Sequence, residues 1–450
     1  MTEATVNMQQ QTLSWLDIVA AIVAVLLGTG AVAELLAFFV GESSSARVVT
    51  ASWLLLYAWA LLKLGSGDQL QWLAWLFRYR LLLILILAAA AASFLWSIDA
   101  ALTMRRAVHF IGTTLLAFYL GYRFRFGLLM ALLAGILALL MVASLVAVVV
   151  LPDLGIQIYE GKLVWKGVFP DKNTLGFSAA VLLLMLVVIF GAVRQWGVRL
   201  ILLAGMATAL LVLIGSHSAT SLVAMVVGVT IMAIFFTIAR IGMVRFGGIM
   251  LLLLFGIVGA LFVQGVDLSA LFSLLGRSTD LTGREEIWQA VKLLIADHPW
   301  TGTGYGTIWS PTPESEWQQS LLNITWTAYH AHNGFFQVAS QLGLVVTGLA
   351  ILFVLQLQIE AIAVYLRASH MMAAILVIGF QTAYLVSNLT EAYFMVDRNL
   401  FWMLQIALPV ALLRLVETPV VIAPYDVPAA ETSHNGRGTI VNHYQAGLSQ

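Results

Sequence analysis

The sequence predicts an all-α integral membrane protein with about 12 transmembrane helices, and three observations carry that expectation. Hydrophobic residues make up 61% of the 450-residue chain and charged residues 10%, where an ordinary soluble domain carries about 25% Asp, Glu, Lys and Arg. Apolar runs as long as a bilayer core requires, roughly 20 helical residues, recur through most of the chain. Polar residues collect at the ends of those runs instead of alternating within them. Lys plus Arg equals Asp plus Glu at 22 each, so no global field attracts polyanions, and nucleic acid is not an expected partner. The chain has no cysteine, which excludes disulfides, thiolate zinc sites and iron–sulfur clusters. The first thirteen residues are mostly polar and lack the basic stretch of a secretory leader.

Runs bounded by charge, Pro or Gly fall near 15–40, 46–64, 78–97, 105–122, 126–151, 173–193, 199–216, 219–239, 246–264, 334–366, 369–388 and 399–416. An even number of spans puts both termini on one side, and short cytoplasmic loops collect Lys and Arg. Tight basic turns such as Tyr122-Arg123-Phe124-Arg125 place the termini inside, with most acidic residues outside. Residues 1–264 then hold helices one to nine, 265–333 form a large outer loop, 334–417 hold helices ten to twelve, and 418–450 read as a disordered cytoplasmic tail. A second outer segment runs from Pro152 to about Lys172. The large loop is too long for an idle connection. Trp288, Trp300, Tyr305, Trp309, Trp317, Trp326 and Tyr329 give it aromatic surface for packing, interfacial anchoring or stacking.

Thr282-Gly-Arg-Glu-Glu-Ile-Trp288 opens the most informative stretch. Thr282 and Glu285 have capping-box spacing, and Ile287, Val291, Leu294 and Ile295 repeat at helical intervals, predicting an amphipathic helix from Thr282 to just before Pro299. Arg284 projects from its first turn, where free N–H groups and the positive dipole end favour an anion. It either seats a phosphate there or pairs with Glu285 or Glu286 on a wet face. Trp300-Thr-Gly-Thr-Gly-Tyr-Gly306 has glycines that permit sharp turns or close backbone approach to a ligand. Without a preceding strand it is no dinucleotide fingerprint.

Tyr329-His-Ala-His-Asn-Gly334 closes the loop and puts His332 and Asn333 at a helix N-terminus on the outer face. That location disfavours imidazolium, leaving a neutral imidazole able to accept a proton; the bland alternative is an interfacial histidine bonded to a carbonyl. His330, two residues away, brings a metal pair to mind, but no third ligand stands at characteristic spacing, so no metal is expected. In the other outer segment Asn173 reads as the N-cap of the sixth span. Lys172 or Lys166 either meets an anionic head group or snorkels. His217 sits in Gly215-Ser-His-Ser-Ala-Thr-Ser221, where hydroxyls either bond between helices or face a substrate. Arg105, Arg106, Glu391 and Arg398 flank outer turns and can face a shared outward cavity.

Taken in order, Gly167 to Gly176, Ser216 to Ser221, Thr282 to Trp288, His298 to Gly306 and His330 to Gly334 resemble the motifs of the bacterial O-antigen ligase and polysaccharide polymerase superfamily, over roughly residues 90 to 400. Thr-Gly-Arg-x-x-Ile-Trp with His-Ala-His-Asn-Gly is most similar to exopolysaccharide polymerases. The resemblance implies a metal-independent, GT-C-like membrane glycosyltransferase without cofactor, in a bacterial inner membrane, with cytoplasmic termini and a periplasmic active site in the large loop. Its donor is a glycan on undecaprenyl diphosphate. Its acceptor is a sugar hydroxyl on a lipid-linked repeat unit for a polymerase, or on lipid A-core for a ligase. Carried onto this chain, His332 is the base and Arg284 the diphosphate contact, with Lys172, Asn173, His217, Arg105, His330, Asn333 and Tyr305 around the substrates. The chain departs from the pattern at His217, where many relatives are basic, at Asp171, where a histidine often precedes Lys-Asn, and at Gln341, where an acid is common.

A transporter or lipid flippase is the rival reading. It usually needs charged or broken helices near the midplane. The expected spans here are nearly charge-free, with Glu34 and Glu360 near span ends as the few exceptions, and no inverted repeat is present.

Overall fold

The computed structural model describes residues 13–65, 71–159, 161–243, 245–246, 284–309, 330–367 and 370–417. Nearly all of the expected ninth span, the Thr282 cap, Trp317, Trp326, Tyr329 and the 418–450 tail lie outside the described residues. The helices are α1 (Trp15–Gly28), α2 (Ala31–Val40), α3 (Glu42–Gly65), α4 (Gln71–Tyr79), α5 (Leu81–Ala92), α6 (Ala100–Arg123), α7 (Phe126–Val150), the one-turn α8 (Pro152–Gly155), α9 (Lys172–Ala192), α10 (Trp196–Gly215), α11 (Ala219–Ile241), α12 (Arg284–Asp297), α13 (Gly334–Leu366), α14 (Met371–Ser387) and α15 (Leu400–Glu417). Among the described residues six helices are long and apolar enough to cross a bilayer, or up to eight if each bent pair is one span, and Met371–Ser387 and Leu400–Val416 are shorter apolar helices. This is a helical membrane protein.

Three expected spans are not straight rods. The 15–40 run bends by 73° between α1 and α2, where Gly30 takes φ +77° and Pro170 of the outer segment packs against it. The 78–97 run turns by 93° between the helix pair on either side of Arg80. The 334–366 helix kinks at Gly343, φ +79°. Hydrophobicity alone reports how much chain prefers lipid, and it carries no information on where a backbone bends.

The 152–172 segment also folds differently from its expected loop. Ile156–Tyr159 (β1) pairs antiparallel with Lys162–Trp165 (β2), turning through Gly161, and the Trp165 ring lies against Gly215 at the end of α10.

Caps fix where the helices start. Asp99 accepts the Leu102 N–H, Ser218 that of Ser221, and Asn333 those of Phe335 and Phe336, each satisfying otherwise orphaned donors. At α9 the expected cap moves. Asp171, not Asn173, accepts the Asn173 and Thr174 N–H groups. A carboxylate complements the positive helix end better than an amide does, and this releases the Asn173 side chain for other contacts.

Close packing uses small residues, as lipid-embedded helices do. Gly228 of α11 faces Gly379 of α14, and Gly121 of α6 lies against the Ala407 backbone of α15. The starts of α6, α9, α11, α13 and α15 meet the ends of α7, α10 and α14 at one end of the bundle. The two exceptional carboxylates are both paired. Arg80 holds Glu360 at 2.9 Å, with Gln356 donating to the same carboxylate, and Lys166 holds Glu34 at 2.8 Å.

Candidate functional site

The site is assembled on the pinned loop before α13. Ala331 is buried; its N–H donates to Gln337 Oε1 at 3.2 Å and its carbonyl accepts from Trp288 Nε1 at 3.0 Å. The two flanking residues, His330 and His332, are left half-buried with ring centroids 4.0 Å apart. His332 has φ +47°, a left-handed conformation that costs about 1–3 kcal/mol and persists only where surroundings enforce it. Its N–H donates to His330 Nδ1 at 3.2 Å.

Opposite His332 stands Glu391, 3% exposed, on the turn after α14. His332 Nδ1 and Glu391 Oε2 are 3.7 Å apart. Asn173 Nδ2 donates to Glu391 Oε1 at 2.9 Å, and Asn173 Oδ1 accepts from Ser218 Oγ at 2.8 Å. One network therefore joins the starts of α9 and α11, the 391 turn and the histidine loop. A buried carboxylate needs such partners.

The amphipathic helix α12 supplies the neighbouring wall. Ile287, Val291 and Leu294 pack with Ile308, Trp309 and Ala331, and Ile295 adjoins them, the inward face the sequence predicts. Arg284 opens that helix one turn before Trp288, whose indole bonds the histidine loop. The Arg284 side chain is outside the described residues.

The glycine-rich loop packs against the protein's own backbone. The kink at Gly343 frees backbone groups of α13, and the loop takes them up. Thr303 N–H donates to Ser340 O at 3.1 Å, Gly304 N–H to Gln341 O at 2.9 Å, and Leu344 N–H to Pro299 O at 2.7 Å. Gly302, Gly304 and Gly306 all have positive φ and lie against Gln341, Ser97 and Arg106 respectively.

Other expected site residues disperse. Tyr305 is buried against Phe110, its hydroxyl donates to Met395 O at 2.7 Å, and burial pushes its phenol well above the ordinary pKa. It faces the core. Both ends of the Asn333 amide are engaged, the oxygen in capping and Nδ2 on Leu389 O at 3.2 Å. Lys172 Nζ sits 3.5 Å from the Tyr159 ring centre on β1. His217 is exposed beside Ser218, with φ +49°. Arg105 belongs to a second cluster: Arg105, Arg106, Asp397 and Arg398 all lie within electrostatic reach of buried His109, with Arg398 on Asp397 at 3.0 Å. Residues 391–398 link this cluster to the histidines. Sequence reasoning put Glu391 at an outer turn where it can face a shared cavity; its pairing with His332 leaves no local signal.

An imidazole just before α13 and a buried carboxylate on the turn after α14 give this helical membrane protein a polar candidate site at one end of its bundle. The family model described as O-Antigen ligase matches residues 204–353, from α10 through α12 and the histidine loop into α13. That match covers a third of the chain and supports membership of the O-antigen ligase and polymerase superfamily. Comparison with curated proteins finds no match.

Proposed function

We propose that the protein transfers a glycan from undecaprenyl diphosphate to a sugar hydroxyl on the periplasmic face of a bacterial inner membrane, as a polysaccharide polymerase of GT-C type. The observation that carries this reading is His332, held on a pinned loop beside Glu391 and next to the helix that Arg284 opens. His332 accepts the proton of the acceptor hydroxyl as its oxygen forms a bond to the donor's anomeric carbon. The bond from that carbon to the diphosphate breaks, and the electron pair leaves on undecaprenyl diphosphate. Glu391 stabilises the imidazolium that results, and Asn173 and Ser218 orient Glu391. Arg284 at the helix N-terminus offsets charge developing on the diphosphate. A diphosphate is already a good leaving group, so base and cations suffice, and chelators leave activity unchanged.

The family description favours ligation to lipid A-core as a second reading. A transporter is less well supported, because Glu34 and Glu360 are tied into ion pairs and the histidines and Glu391 gather at helix ends. The test is product formation in membranes supplied with lipid-linked repeat units. His332→Ala and Arg284→Ala are expected to abolish product at normal expression; near-normal product from either removes that residue's role. Ladders of lipid-linked polymer indicate a polymerase, and transfer to lipid A-core a ligase.

A further inference from the structure

We infer that His330, His332 and Glu391 form a binding site for a borderline transition-metal cation of the zinc class, which blocks the base when occupied. One ligand atom from each residue can be chosen so that all lie within 4.8 Å of one another. Zinc bound at about 2.0–2.2 Å in tetrahedral geometry spaces its ligands about 3.3 Å apart. The 3.7 Å between His332 Nδ1 and Glu391 Oε2 is too long for a hydrogen bond and near that spacing. Two imidazoles and a single carboxylate suit zinc, copper or nickel, whereas calcium and magnesium take oxygen-rich sets.

The surroundings are those of a ligand set. Trp288 and Gln337 hold Ala331 from both sides, fixing the two histidine backbones. Asn173 occupies Glu391 Oε1 and leaves Oε2 toward His332, an outer-shell bond of the kind that orients metal ligands. Both histidines are half-buried, so a hydrated ion reaches them. His330 binds through Nδ1 by giving up the 3.2 Å bond from the His332 N–H. Three protein ligands leave a fourth position for water. The histidines' spacing in the chain shows only a pair; folding supplies the third ligand.

Zinc chloride titrated into metal-stripped, detergent-purified full-length protein, in competition with a chromophoric chelator, tests the site. One zinc per chain is expected. His330→Ala, His332→Ala and Glu391→Gln should each weaken binding by more than about 100-fold, and Asn173→Ala by about 10- to 100-fold, the usual outer-shell effect. His434→Ala with His443→Ala in the tail should leave binding intact. No saturable binding, binding that follows the tail histidines, or wild-type affinity in all three ligand variants overturns the inference. If a variant does not fold, the wild-type cobalt spectrum decides: intense four-coordinate bands are expected, and a weak six-coordinate spectrum refutes the site. The inhibitory consequence rests on the proposed base role, since metal-bound His332 has no lone pair for a proton. Saturating zinc should then stop product formation and a chelator restore it. Zinc that binds without inhibiting removes the base role but keeps the site; zinc that does not bind removes the site and leaves the base role standing.

Discussion

Two carboxylates, the half-buried Glu360 and the buried Glu391, meet basic side chains contributed from far along the chain, and they do so in opposite styles. Arg80 grips Glu360 at 2.9 Å; its side chain is 1% exposed, and Gln356 donates to both Glu360 and the Tyr79 carbonyl. That cluster closes on itself at the 93° turn between α4 and α5. His332 faces Glu391 across 3.7 Å with 24% of its side chain exposed. The first arrangement spends its polar groups on one another, which holds a bent span together. The second keeps a looser gap on a strained, accessible residue, the condition for chemistry with an outside molecule.

The largest expected effect breaks the open pair. His332→Ala should lower glycan transfer by about 100- to 10,000-fold, the usual worth of a general base, with little change in the melting temperature of the detergent-solubilised protein. Breaking the closed pair should do the reverse. Arg80→Leu leaves the half-buried Glu360 without its cation and should destabilise by about 1–3 kcal/mol, read as lost folded yield, while Arg80→Leu combined with Glu360→Leu recovers much of it. Recovery of transfer by a matching His332 and Glu391 double replacement would erase the distinction. Glu391→Gln should cost about 10- to 100-fold in rate, as expected for a hydrogen bond or pair with a charged group worth about 1.5–3 kcal/mol. Smallest is Trp288→Phe, which removes one bond to the histidine loop; at about 1 kcal/mol a loss near fivefold in rate is expected, and an unchanged rate would mean that other contacts hold the loop.

Much of this was legible before folding. Ile287, Val291, Leu294 and Ile295 mark the inward face of α12 by period alone, and Asn333 caps α13 where the apolar run begins. Local competition escaped the reading at α9, where Asp171 outcompetes Asn173 for the cap. Glycine spacing said that the 302–306 backbone comes close to something. It did not say that the partner is the broken turn of α13 at Gly343, because that vacancy exists only once the helix bends.

Composition and periodicity alone determined that the chain enters a membrane and where most of its helices run, since hydrophobic length and capping are properties of neighbouring residues. Tertiary structure decided that Glu391 reaches His332, that Asn173 serves Glu391, and that Tyr305 turns into the core. Such contacts join segments whose separation along the chain leaves no period to read; only the packing of helix against helix brings them within bonding distance.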